Sequence, residues 1–453
     1  MQLPLDQRDL PSPPKFRSLL GPSFILLGLG LGSGEIILWP YLSSNYGLGI
    51  IWGIVVGVTM QFFINMEVER YALIYGESIF VGFARWLRWL PIWFAASTFL
   101  GFGWPGIGLA GATLLFHATD AVSVKIVGVL VFVAIGAILS FGKILYKTVE
   151  TLQKTLVLFG TPFILILTFY FASRADWSAF FSGLMGFGTN YHFLPAGISV
   201  ASFLAALTYS GAGGNLNLAQ SFYVRDKGYG MGAYSQKIGN LLTAAADSTH
   251  IRLTGSTFPL TSANLTKFFA WWKAVNLEHF FIFWLLGLVT MLMLSLLAYS
   301  TTHTLPGNSE GINFVLNEAS ALAPLGTLFL LVTGLMLSAT QLTVLDSTSR
   351  IITENVLLTS GNHTARVSKL YYTVLWLQIA FGILVMLSGF TQPRELITLG
   401  AIINAFSMFV YTGLIFYLNN FRLPHPLRPS LWRNLALTAT FMFLSFFFFK
   451  TIL

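Results

Sequence analysis

The sequence predicts an all-α integral membrane protein of eleven transmembrane helices. These form two inverted five-helix repeats, spans 1–5 and 6–10, with broken helices 1 and 6 and an extra C-terminal helix. Three observations carry this. Of the 453 residues, 55% are hydrophobic and only 9% charged, far more apolar surface than a soluble core needs. Lys and Arg fall almost entirely in alternate loops. Two of the apolar segments, the first and the sixth, are interrupted by clustered glycines.

The apolar segments run over 20–44, 48–66, 92–116, 124–142, 150–172, 196–222, 273–299, 322–346, 369–389, 395–418 and 431–449. Each approaches or exceeds the roughly 20 residues that cross a hydrocarbon core of about 30 Å. Strands of an outer-membrane barrel would alternate polar and apolar residues, and these segments do not. The first segment follows Lys15 and Arg17 as a signal peptide would, but Trp39-Pro40-Tyr41 stands where a small-residue cleavage site belongs.

With the N-terminus inside, 21 of the 25 Lys and Arg residues are cytoplasmic, and Lys125, Arg174, Arg394 and Lys450 make up the other 4. The expected topology is therefore N-terminus in the cytoplasm and C-terminus outside, with a bacterial inner membrane as the default location. The resulting divisions are a Pro-rich, loosely attached arm (1–18), a first repeat (19–172), an external loop (173–195), a second repeat (196–420) and a final loop and helix (421–453). The second repeat contains the longest polar interval, 225–272, expected as a cytoplasmic loop with a short surface helix.

Composition excludes several functions. The absence of cysteine removes disulfides, thiolate metal sites and thiol redox chemistry. The net charge of +8 is spread over short loops rather than one face, so no nucleic-acid partner is expected. Gly101-Phe102-Gly103-Trp104-Pro105-Gly106 matches a dinucleotide fingerprint but lies inside an apolar span with no strand before it; a helix kink is expected there. No protease, hydrolase or nucleotide-binding motif is present, and no cofactor or enzymatic activity is expected.

The stretch GLGLGSGEIILWP, residues 28–40, places a carboxylate in an apolar helix. Gly28, Gly30, Gly32 and Gly34 form spacings that also suit close helix packing. Glu35 favours the alternative of an unwound functional segment over Gly30, Gly32, Ser33, Gly34 and Glu35. A charge at mid-membrane is expensive and faces a pathway or a partner. Ser210, Gly211, Ala212, Gly213, Gly214 and Asn215 repeat this pattern in span six. Two such breaks, each opening a run of five spans, are the pattern of an inverted-repeat transporter with its substrate held at midplane. Glu35 and Asn215 are the candidate metal ligands.

Other polar residues have competing readings. Glu278 and His279 near the start of span seven suit an ion pair with a loop cation, or a relay or gate. Asp346 forms an i,i+4 pair with Arg350, or joins Ser338, Thr340 and Thr343 in a sodium site against span one. Glu67 and Glu69, beside Arg70, read as interfacial. Glu150 reads as an ion pair or gate with Lys147 and Lys154, and Gln378 and Asn404 as interhelical hydrogen-bonding groups.

At Gly21-Pro22-Ser23-Phe24 the chain resembles the opening of the first helix in the Nramp (natural-resistance-associated macrophage protein) metal-ion transporters, a five-plus-five inverted-repeat family. The resemblance covers nearly the whole chain. The family's Asp-Pro-Gly-Asn motif falls on Gly32-Ser33-Gly34-Glu35, and its Met-Pro-His-Asn stretch on Ala212-Gly213-Gly214-Asn215; one position of each is kept. The resemblance implies secondary transport of a cation by alternating access, driven by a proton or sodium gradient or by the membrane potential. The changed residues leave a hard carboxylate, an amide and backbone carbonyls, which points away from transition metals and first to another divalent metal ion, then to an alkali ion or an organic cation. The alternative is symport of a small organic solute such as an amine or amino acid; a channel or sensor is the competing class. The partners expected are the substrate and the lipid bilayer, and the oligomeric state does not follow.

Overall fold

The computed structural model describes residues 5–14, 19, 21–119, 123–141, 145–236, 251–360, 364–365, 367–389 and 392–452; for 31, 33, 251, 364, 365, 451 and 452 only the backbone is described. Ten helices or helix runs among them are long and apolar enough to cross a membrane: Pro22–Tyr46, Leu48–Tyr75, Leu90–Thr119, Val124–Phe141, Leu145–Phe171, Ser262–Thr302, Gly326–Thr359, Val367–Leu387, Pro393–Arg422 and Leu431–Lys450. They coincide with all the expected spans except 196–222. That segment consists of a helix Val200–Thr208, an irregular stretch, a 3₁₀ turn Gly214–Ala219 and a helix Gln220–Lys227, none long enough to cross alone.

Several helices outrun their apolar segments. Span two continues to Tyr75, span seven begins at Ser262, and span eight reaches Thr359. Hydropathy missed these ends because they carry charges, yet Glu67, Glu69, Arg70, Arg350 and Glu354 are all buried. Apolarity instead marks the outside of the bundle. Leu130, Phe159, Ile166, Phe169, Tyr170, Met442 and Phe446 are exposed on spans four, five and eleven, where lipid is the compatible solvent. Span three breaks after Phe102 and resumes at Gly106, with Pro105 at the expected kink. Span eleven packs on span ten, the Phe441 ring lying 4.7 Å from Phe409.

The N-terminal arm is not loose where it is described. Asp6–Gln7 pairs in parallel with Ser256–Thr257, Leu10 is buried, and the Trp271 indole donates to the Pro11 carbonyl at 2.7 Å. The polar composition that suggested a free arm is satisfied by backbone pairing with the 225–272 interval. Within that interval residues 237–250 lie outside the described residues. Two other two-stranded pairings join Phe187–Gly188 to Tyr191–His192 and Ile251–Arg252 to Thr364–Ala365.

Candidate functional site

Span one is not unwound. Its helix Pro22–Gly32 passes through a π-helical turn, Ser33–Leu38, into a second helix, Trp39–Tyr46. The glycines serve close packing. A Cβ on Gly30 would lie 3.1 Å from the Gly211 backbone, and one on Gly34 would overlap the Tyr209 carbonyl. The bulged turn of span one is thus pressed against the break of span six. A π turn loosens the i→i+4 ladder without exposing it, and such turns recur at functional sites.

The break in span six is real and runs from Tyr209 to Gly213, with Gly213 at φ +73° and Gly214 at φ +47°, where a side chain would be strained. Gln61 of span two bridges it. Its Oε1 accepts from Gly213 N–H at 3.0 Å and its Nε2 donates to the Thr208 carbonyl at 2.9 Å. Ser210 accepts from the Trp39 indole at 2.9 Å, Gly211 and Ala212 are enclosed, and the Tyr209 hydroxyl accepts from Asn404 at 2.9 Å.

Glu35 is 1% exposed and makes no ion pair among the described residues; its Oε2 has no hydrogen-bond partner there. The carboxylate faces span seven, where a Cβ on Gly287 would come within 3.8 Å of Oε1. Asn215 looks elsewhere, donating to Ser97 Oγ at 2.8 Å and Thr98 Oγ1 at 2.9 Å on span three, with its Oδ1 unpartnered. The two expected metal ligands therefore have different neighbours. No three His, Asp or Glu side chains among the described residues come together as a metal-holding group. The Ser33 side chain lies outside what is described.

The sodium site read into span eight is not assembled. Thr340 donates to the Gly28 carbonyl at 2.9 Å. The Ala339 carbonyl receives the amide of Gln153 at 3.0 Å, and the Thr343 hydroxyl receives it as well. The N–H donor of Gln153 thus occupies oxygens that a cation would need. Asp346 takes the ion-pair alternative, bound through both oxygens to Arg350 Nε at 2.9 and 3.0 Å and accepting from the Tyr371 hydroxyl at 2.8 Å.

Arg350 continues to Asp226 at 2.5 Å, Asp226 to Arg225 at 3.1 Å, and Arg225 to Glu354 at 3.1 Å. This buried chain of charges ties the helix Gln220–Lys227, after the break of span six, to span eight on the Lys- and Arg-rich side. Glu278 and His279 hold the start of span one. Glu278 Oε1 accepts from the N–H groups of Gly21 and Ser23 at 3.2 and 3.3 Å, an anion at a helix N-terminus, and Ser23 Oγ lies 2.8 Å from His279 Nδ1. The partner of Glu278 is thus a helix end, not a loop cation. Glu150 accepts from Lys154 and from Lys227 at 2.5 and 2.7 Å.

On the opposite side a vestibule of about 300 Å³ is lined by Leu38, Tyr41, Ser202, Arg394, Glu395 and Thr398. The Arg394 guanidinium sits 4.2 Å from the Tyr41 ring centre, a cation–π contact. Leu38 is about one turn beyond Glu35. Leu38 thus lines the vestibule from the same π turn that carries Glu35.

Neither the vestibule nor Gln61 and Asn65 of span two were singled out from sequence, and Glu69 was read only as interfacial. Gln61, Asn65 and Glu69 recur at four-residue spacing in an apolar helix, a signal that could have found them. Glu67 and Glu69 are fully buried in the protein: Glu67 binds Arg70 at 2.7 Å and Arg433 at 3.2 Å, and Glu69 accepts from Gln220 at 3.2 Å.

No family model matches the chain, and no curated protein matches it in sequence. Solved structures do match in fold. A manganese transporter from Eremococcus coleocola, solved as a point mutant, is similar over 99% of this chain and 89% of its own, with TM-score 0.68 and 12% identity. Mhp1, a nucleobase-cation-symport-1 family transporter, is similar over 97% and 91%, with TM-score 0.56 and 14% identity. MhsT, solved with L-phenylalanine, is similar over 95% and 97%, with TM-score 0.57 and 12% identity. At these identities the likeness is one of architecture: the chain is a multi-pass integral membrane protein with the LeuT-type fold.

Proposed function

We infer that the chain is a secondary active transporter that moves a cationic substrate by alternating access, with Glu35 as its main charged ligand. The observation that carries this is the unpaired, buried Glu35 carboxylate at the point where the π turn of span one meets the break of span six. A mid-membrane carboxylate without a protein counter-ion is costly, and a transported cation supplies the missing charge. Irregular helix segments that meet at midplane are where such folds bind substrate, and here a π turn of span one meets the break of span six. The repeat division at 19–172 and 196–420, the crossing of span six, the cytoplasmic N-terminus and a bacterial inner membrane belong to this reading.

The substrate the geometry favours is a small organic cation or amine. A single carboxylate with an amide turned toward another helix offers few of the ligands that a divalent ion requires, and the vestibule has room for an organic solute. A divalent metal ion other than a transition metal is the second reading, favoured by the fold likeness to a manganese transporter. The test is uptake into proteoliposomes of radiolabelled small amines and of Mg²⁺, Ca²⁺ and Mn²⁺. Saturable uptake showing counterflow supports transport, and ohmic, non-saturating flux would make the protein a channel.

A further inference from the structure

Span two carries Gln61, Asn65 and Glu69 one turn apart, all buried. The first and last of these face span six: Gln61 bonds Gly213 and Thr208, and Glu69 Oε2 accepts from Gln220 Nε2 at 3.2 Å. Residues at i, i+4 and i+8 share one helix face, so Asn65 between them is turned to span six as well.

At this point several oxygens have no partner. Asn65 Oδ1, with its Nδ2, Glu69 Oε1 and Gln220 Oε1 make no hydrogen bond among the described residues. A bare buried polar atom is costly, and more so when charged, so unpartnered oxygens on Asn65, Glu69 and the Gln220 that bonds Glu69 point to a ligand that binds them together. Neighbouring guanidinium groups do not supply it, because Arg70 and Arg433 bind Glu67 on another face of the helix. The donor set is all oxygen, with one formal negative charge and no histidine. Hard oxygens of that charge suit a hard monovalent cation rather than a transition metal or a divalent ion.

We propose that Asn65 Oδ1, Glu69 Oε1 and Gln220 Oε1 form a sodium-ion site between span two and the inner half of span six. The ion neutralises Glu69 and fastens the helix that follows the break. Its consequence for transport, that sodium occupancy biases the opening of the inner side, rests on the transporter reading; the binding itself does not.

The test is binding of ²²Na⁺ to the purified full-length protein in lipid nanodiscs, using wild type, Glu69→Gln, Asn65→Ala, Gln220→Ala and Glu35→Gln. Saturable binding is expected in wild type and in Glu35→Gln, with loss in Glu69→Gln and weakening by more than about tenfold in the two alanine variants. If Glu69→Gln does not fold, the alanine variants carry the test. No saturable sodium binding in wild type overturns the site, as it would if Glu69 held only a proton. Binding lost in Glu35→Gln but kept in Glu69→Gln also overturns it and moves the cation to the central carboxylate. Sodium binding as expected without transport of any amine or metal would support the site and defeat the transporter reading instead.

Discussion

Gln61 and Gly213 are joined across the gap in span six, the side-chain oxygen accepting the glycine N–H at 3.0 Å while the same amide donates to the Thr208 carbonyl. Backbone groups freed by a helix break inside a membrane have no water to bond, so a neighbouring helix must satisfy them. Gln61→Leu leaves both groups bare, at about 1–3 kcal/mol each. A clear fall in the thermal midpoint of the purified protein is expected, and an unchanged midpoint would show that the break is held by other contacts.

The approach of span one to span six depends on Gly34. A side chain there runs into the Tyr209 carbonyl, which is backbone and has little freedom to move. Gly34→Val is expected to abolish uptake and lower stability. Gly287→Ala, whose added carbon meets Leu27 Cδ1 at 3.0 Å and Glu35 Oε1 at 3.8 Å, is expected to fold, since a leucine end can shift. Equal melting of the two variants would contradict the close approach.

The chain Asp346–Arg350–Asp226–Arg225–Glu354 is buried throughout. Removing Arg350 alone leaves carboxylates short of their counter-ion, and Arg350→Gln is expected to cost about 3–5 kcal/mol. Replacing Arg350 and Asp346 together by Met and Leu is expected to cost less than the single change. Denaturation of the three proteins in detergent checks the order, and a double change that costs as much as the single one or more would count against the network.

Glu318 lies in the short helix Asn313–Ala321 between spans seven and eight, is 2% exposed, and has an unpartnered Oε1. Burial raises its carboxyl well above the ordinary range. The folded protein then holds a proton that the unfolded chain releases, so this group lowers stability as pH rises from the unfolded pKa toward the folded one. Glu318→Gln is expected to be more stable than wild type at neutral pH and above, and to match it in acid. A stability gap independent of pH would rule out this assignment.

Much of the architecture was legible from apolar runs, because a bilayer demands long apolar helices and the chain supplies them in order. The kink at Pro105 and the pair Asp346–Arg350 followed from local spacing. What escaped was set by contacts between distant segments. Alternating glycines in span one look the same whether a helix unwinds or packs tightly, and only the Tyr209 carbonyl against Gly34 decides for packing with a π turn. Span two was cut short at 66 because Glu67, Glu69 and Arg70 look like a helix end. Partners from spans six, ten and eleven let them be buried. The Gln153 amide that donates to Thr343, one of the expected sodium ligands, comes from span five, and no spacing within span eight reveals it.

The central claim is that Glu35 binds the transported cation. Calorimetric titration and thermal stabilisation of purified wild type and Glu35→Gln against small amines, Mg²⁺, Ca²⁺, Mn²⁺ and Na⁺ test it most directly. The expected result is saturable binding of an amine, or on the second reading of a divalent ion, to wild type and its loss in a Glu35→Gln protein that still folds. Wild-type affinity for that ligand in Glu35→Gln would contradict the claim and remove the carboxylate from the site.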